Sequence, residues 1–83
     1  MDDSVYKQIM NLPSGTGLTV HYRHGGPSTY RIVDAKGKKQ LRSMLTGRAR
    51  TFATVSELKR ALGQPIGVRV MDQGGEERWM LRP

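Results

Sequence analysis

The sequence predicts an α+β domain: a small, mostly antiparallel sheet of about four to five strands, one capped helix packed on it, and a short N-terminal helix. Three observations predict this class. Apolar and polar residues alternate, as in half-buried strands, in four segments: 18–23, 29–35, 66–71 and 77–81. The segments that join these strands in pairs have hairpin length and contain glycine pairs. One stretch, 54–63, has helical periodicity together with start and stop signals. With 83 residues, of which 36% are hydrophobic, residues 1–83 are expected to form a single domain with one thin core.

The N-terminal half begins with a helix and a hairpin. Over residues 3–11 the apolar side chains fall on one side at helical spacing, and Pro13 ends the pattern. The hairpin follows, and its inward positions are Leu18, Val20, Tyr22, Tyr30 and Ile32. Its outward positions are Thr19, His21, Arg23, Thr29 and Arg31. Antiparallel pairing is expected to bring His21, Arg23 and Arg31 together on the outer face.

The middle of the chain, residues 36–47, fits two patterns. Leu41, Met44 and Leu45 fit a helical turn, whereas Leu41, Ser43 and Leu45 fit a strand. Because glycines bracket a piece too short for a stable helix, a strand or an irregular loop is favoured. Residues 48–53 are expected to be a short extended segment that leads into the next element.

The helix predicted over 54–63 has the clearest local signals. Thr54 and Glu57 have the T-x-x-E spacing of a capping box, in which each side chain satisfies a free backbone donor. Gly63 suits the left-handed residue that ends a helix, and Pro65 prevents its continuation.

The last two strands are expected to form a hairpin around the turn at 72–76. Their inward positions are Ile66, Val68, Val70, Trp79 and Leu81, with Arg69 outward.

Composition excludes several classes of function. The absence of cysteine removes disulfides, thiolate metal sites and cysteine nucleophiles. His21 and His24 lack a nearby third ligand, so no metal site and no cofactor are expected. The seven carboxylates form no recognisable acid–base pair, so the protein is expected not to be an enzyme. No apolar run is long enough for a membrane span and the first residues are acidic, so a cytoplasmic location is expected.

Charge gives the main functional signal. Fourteen Lys and Arg against seven Asp and Glu give a net charge of +7, and residues 35–56 contain no acidic residue. This excess favours a polyanionic partner, either nucleic acid or an acidic host protein. The candidate binding residues are Lys36, Lys38, Lys39, Arg42, Arg48 and Arg50, which we call the basic segment, together with Arg23 and Arg31. Lysines neutralise phosphates as point charges, and arginines grip them with two parallel hydrogen bonds.

Two stretches resemble the small ParC-like partition-associated proteins of conjugative plasmids. They are Tyr30-Arg31-Ile32-Val33-Asp34-Ala35-Lys36-Gly37-Lys38 and Arg50-Thr51-Phe52-Ala53-Thr54-Val55-Ser56-Glu57-Leu58-Lys59-Arg60-Ala61-Leu62-Gly63. Taken together, the two stretches have the family's order of strand, basic turn, basic residue near Thr-Phe, and capped helix ending in Leu-Gly. The resemblance covers residues 30–71 and departs from the pattern at 40–48, which reads as an insertion.

The resemblance implies an accessory protein of a mobile element. The first hypothesis is therefore a non-enzymatic nucleic-acid-binding accessory protein of a plasmid or phage, docking through the basic segment. The alternative is a small inhibitor or adaptor, encoded on a phage or plasmid, that binds a host protein. Neither hypothesis requires a membrane, and the oligomeric state stays open.

Overall fold

The computed structural model describes residues 3–83, which form two helices and a six-stranded sheet. In chain order the elements are α1 (Asp3–Met10), β1 (Gly17–His21), β2 (Ser28–Ala35), β3 (Lys38–Ser43), β4 (Ala49–Phe52), α2 (Val55–Leu62), β5 (Gly67–Met71) and β6 (Glu77–Leu81). The α+β class is confirmed. The sheet has more strands than expected because the ambiguous segment 36–47 contains the strand β3 and the extended segment 48–53 also becomes a strand, β4, which pairs with β3.

The sheet is antiparallel throughout and has the strand order β4-β3-β2-β1-β5-β6. Strands β1 to β4 follow one another as neighbours, so short turns suffice to connect them. From the edge strand β4 the chain continues as α2 and returns as β5, which pairs with β1. Strands β1 and β5, which are far apart in the sequence, are therefore neighbours in the interior of the sheet.

Both helices pack on the same face of the sheet. The inward side chains of the strands meet those of the helices in one apolar cluster, whose members are Val5, Tyr6, Ile9, Leu12, Leu18, Val20, Ile32, Leu41, Phe52, Leu58, Leu62, Val68 and Val70. The opposite face of the sheet has no element over it among residues 3–83, and we call it the open face.

Two tyrosines connect this core to the end of α2. The hydroxyl of Tyr6 donates to the carbonyl of Gly63 at 3.1 Å, and that of Tyr22 donates to the carbonyl of Leu62 at 2.6 Å. These bonds satisfy carbonyls that a helix C-terminus leaves free. Burial, with the neighbouring Tyr30, raises the pKa of Tyr22 to about 12.

The predicted N-cap of α2, Thr54, is confirmed, and Gly63 ends the helix as predicted. The hydroxyl oxygen of Thr54 accepts a hydrogen bond from the backbone N–H of Glu57 at 3.1 Å. The carboxylate of Glu57 accepts one from the N–H of Ala53, one residue before the N-cap. Gly63 has φ of 71° and ψ of −134°, so its φ is positive but its conformation is not the left-handed helical one predicted, and its N–H donates to the carbonyl of Lys59.

The prediction that Trp79 faces the core is wrong. Leu81 pairs with Val68, whereas Trp79 pairs with Arg69, so Met80 is an extra residue in β6, a β-bulge. Side chains along a strand alternate between the two faces of the sheet. One extra residue therefore reverses the face on which each earlier residue of β6 lies. Leu81 therefore packs against the core as predicted, but Trp79 lies on the open face.

Two further predictions fail at strand ends. β5 begins at Gly67, one residue after Ile66, whose side chain is 37% exposed instead of buried. β1 ends at His21, before Arg23, and Arg31 pairs with Gly17 at the other end of β1. His21, Arg23 and Arg31 are therefore not brought together.

Candidate nucleic-acid interface

The turn between β3 and β4 is organised around Ser43. Its hydroxyl oxygen accepts hydrogen bonds from the backbone N–H groups of Leu45 (3.3 Å) and Thr46 (3.2 Å), and its carbonyl accepts one from Gly47 (2.9 Å). The N–H of Arg48 donates to the Thr46 hydroxyl at 3.2 Å. Gly47 has φ of 75°, a conformation that glycine adopts without a steric penalty. The sequence of the turn thus fixes its own shape.

This turn presents apolar side chains to solvent. Leu45 is 93% exposed and Met44 is 54% exposed. Met44 is anchored through its backbone N–H, which donates to the carbonyl of Thr29 at 2.9 Å. We call the exposed pair Met44 and Leu45 the apolar tip.

Strand alternation divides the basic segment between the two faces of the sheet. Lys38 and Arg42 lie on the open face, because they are in register with Ala35 and Arg31 and alternate with the buried Leu41. Arg50 is in register with Leu41 and therefore lies on the helix-bearing face. The basic segment does not form one continuous patch.

On the open face, Arg31 and Arg42 stand directly opposite each other on β2 and β3. Like charges in this arrangement destabilise a sheet unless an anion lies between or above them. Arg31 donates to the carbonyl of Gly15 at 3.3 Å, which orients one side of its guanidinium. Both side chains are exposed, and neither forms an ion pair within residues 3–83.

The other half of the open face holds an aromatic cluster. The rings of His21 and Trp79 are 5.2 Å apart, and the guanidinium of Arg69 lies 5.5 Å from the centre of the Trp79 ring. Arg69 also forms a 3.4 Å ion pair with Glu77. Nε2 of His21 is buried and has no hydrogen-bond partner within the described part of the chain. Because Arg69 is paired and covers Trp79, this half of the face is less available to an anion than Arg31 and Arg42.

On the helix-bearing face, Arg48 and Arg50 line a groove of about 690 Å³ with Tyr30 and Leu41 beside them. The groove opens between the β3–β4 hairpin and Ala61 of α2. Arginines thus stand on both flanks of the hairpin: Arg42 on one, and Arg48 with Arg50 on the other.

The arginines of this face continue along α2. Arg50 and Arg60 line one shallow depression, and Arg60 and Arg23 line a second one together with Lys59 and Tyr6. Arg23 is therefore joined to the hairpin through Arg60, on the face opposite to the one predicted for it. Arg60 was missed because in the sequence it looks like an ordinary basic residue of a last helical turn.

Two lysines of the basic segment are placed differently. Lys36 lies in the β2–β3 turn with φ of 51°, exposed and away from the β3–β4 turn. The ammonium of Lys39 donates to the carbonyl of Leu12 and so fastens β3 to the end of the α1 segment. Lys39 therefore has a structural role.

Ion pairs within residues 3–83 are Lys59–Asp3 and Arg69–Glu77. The candidate cations of the hairpin are in neither pair. Apart from Lys39, which is bonded to Leu12, these cations are exposed and available to a partner.

Other kinds of site are not formed by the described residues. From residue 3 to residue 83, no three His, Asp or Glu side chains are grouped closely enough to hold a metal ion. Neither of the two described helices has the length and apolar character needed to cross a bilayer.

No protein-family model, curated protein or solved structure matches this chain. The resemblance over residues 30–71 stays a prediction.

Proposed function

We propose that this protein is a non-enzymatic nucleic-acid-binding protein that docks on the phosphate backbone through the β3–β4 hairpin. The observation that supports this most is the distribution of arginines around the hairpin. Arg42 on one flank, and Arg48 with Arg50 on the other, have no carboxylate partner within residues 3–83. An accessory role on a plasmid or phage, as the resemblance implies, belongs to the same proposal.

The chemistry of these side chains suits phosphate. A guanidinium presents two parallel N–H donors that match two phosphate oxygens, and it stays charged at any physiological pH. Arg31 and Arg42 occupy directly opposite positions on β2 and β3, an arrangement in which like charges destabilise a sheet. A phosphate bound above both residues offsets this unfavourable like-charge contact. The relief of the repulsion then adds to the favourable free energy of binding.

A second candidate is an acidic host protein bound by the same hairpin. The apolar tip favours it, because Met and Arg are enriched in protein interfaces and Leu45 adds exposed apolar surface beside them. In that case the protein is an inhibitor or adaptor.

A fluorescence anisotropy titration separates the two candidates. Labelled duplex DNA, single-stranded DNA and RNA of about 30 nucleotides are titrated at about 50 and 200 mM salt. We expect micromolar or tighter binding to one or more of them at low salt, weakening steeply at the higher concentration. Binding only near the millimolar range, together with co-purification of one host protein, would support the inhibitor or adaptor instead.

A further inference from the structure

We infer that Leu45 is a wedge that enters a groove of duplex DNA and opens the stacking between two base pairs, so that the protein bends its DNA. This inference rests on the proposed function and names its substrate class, double-stranded DNA. Proteins that bend DNA from the minor groove insert Leu, Ile, Met, Phe or Pro side chains between base steps.

Leu45 is free to act as a wedge because folding does not use it. Its side chain is 93% exposed, so it contributes almost no burial to the core. Its backbone is nevertheless fixed, since its N–H and those of Thr46 and Gly47 all donate to Ser43. Because the backbone of the turn is already ordered, insertion costs the rotamer freedom of the Leu45 side chain but little backbone entropy.

The charges beside the apolar tip match the walls of a groove. A duplex groove has a row of phosphates on each side and base edges on its floor. The hairpin has the same division: Arg42 on one flank, Arg48 and Arg50 on the other, and the apolar tip between them. The minor groove, about 6 Å wide, is too narrow for a helix, and proteins that insert an apolar wedge there kink the duplex toward the major groove.

The same charges disfavour a second copy of this chain as the occupant. Each copy has a net charge of +7, and the residues around the tip, 35–56, include no Asp or Glu. Two tips brought together would face each other with arginines on every side. Duplex DNA supplies the opposite charge on both flanks at once.

The test uses a duplex of about 30 base pairs labelled at its ends for energy transfer, with a central TA step, which unstacks easily. A second duplex has 2-aminopurine at that step and reports unstacking. The wild-type protein is compared with Leu45→Ala and with Ile66→Ala, a control that removes another exposed apolar side chain away from the hairpin.

We expect wild type and Ile66→Ala to bend the duplex by tens of degrees and to raise the 2-aminopurine fluorescence. Leu45→Ala should bind with the same dependence on salt, and with an affinity within about fivefold, but without bending or unstacking. A mismatch at the central step, which removes most of the unstacking cost, should tighten wild-type binding about tenfold or more and that of Leu45→Ala less than about twofold.

The inference alone is overturned if wild type binds the duplex without bending it, or if Leu45→Ala bends it equally. If no variant binds any nucleic acid, the inference falls together with the proposed function. If Leu45→Ala instead abolishes a dimer seen for wild type by sedimentation, or the capture of an acidic protein, the apolar tip is a protein contact and the inference is wrong.

Discussion

The arginines on the two flanks of the hairpin can be tested by reversing one charge on each flank. The double variant Arg42→Glu/Arg48→Glu changes one exposed residue of the open face and one that lines the groove on the helix-bearing face. Both side chains are exposed and unpaired within residues 3–83, so the reversal should not lower the melting temperature. A small rise is expected, because Glu at position 42 faces Arg31 and replaces a like-charge contact with an opposite-charge one.

The magnitude follows from counting phosphate contacts. If Arg31, Arg42, Arg48 and Arg50 each neutralise one phosphate of duplex DNA, log K falls with log[salt] with a slope of about −3.6, which is four times −0.9. From 50 to 200 mM salt the affinity of wild type then falls about 150-fold. With two contacts removed the slope is about −1.8 or flatter, and the same change of salt costs only about 12-fold.

The matched control is Arg78→Glu/Arg82→Glu, which changes the net charge equally but at β6 and the residue after it, on the far edge of the sheet. Anisotropy titrations at four or more salt concentrations give the slopes, and circular dichroism checks folding. The control should keep most of the wild-type slope. Equal losses of slope in the two double variants would refute the reasoning, because the attraction would then be a diffuse effect of net charge.

The remaining predictions concern the core. Leu58→Ala should destabilise the fold by about 2–5 kcal/mol, because Leu58 is fully buried, whereas Leu45→Ala, the same chemical change at an exposed site, should melt within about two degrees of wild type. A melting temperature for Leu58→Ala as high as that of wild type would show that α2 does not pack as described. Stability should also fall as pH rises from 10 to 12. The pKa of Tyr22 is raised to about 12 from 10.0, so the fold favours the protonated phenol, and this contribution is complete below pH 10 and lost through pH 12. Melting curves of Tyr22→Phe should show a smaller loss over this interval. An equal loss in both proteins would assign the pH dependence to other groups.

Much of the fold could be predicted because its signals are local. The caps of α2 are local: the Thr54 hydroxyl accepts from the N–H of Glu57, and the backbone N–H of Gly63 donates to the carbonyl of Lys59. The alternation of apolar and polar residues identified the strands for a similar reason. In a half-buried strand successive side chains point in turn to the core and to solvent, so the pattern is visible within a few residues of the chain. Strand ends were less predictable. Ile66 continues the alternation of β5 but lies outside the strand, because the pairing with β1 stops at His21 and Gly67.

The candidate site was only partly predictable. The charge of residues 36–50 indicated the right part of the chain, but alternation along β3 and β4 places Arg42 and Arg50 on opposite faces. The apolar tip was missed because Leu45 fits the alternation of an inward position, and only the hydrogen bonds around Ser43 turn the chain before it.

By itself, the sequence determined the α+β class, the position of nearly every helix and strand, and a positive charge that has no acidic counterpart between residues 35 and 56. These properties depend on neighbours in the chain. The tertiary structure decided which side chains share a surface. One extra residue in β6 moved Trp79 to the open face, and the register of β2 with β3 set Arg31 opposite Arg42. The position of α2 beside the hairpin joined Arg60 to Arg50. These neighbours result from pairing and packing between segments that are distant in the sequence. The alternation of residues within one strand shows which side chains share a face, but it does not determine the register with the neighbouring strand.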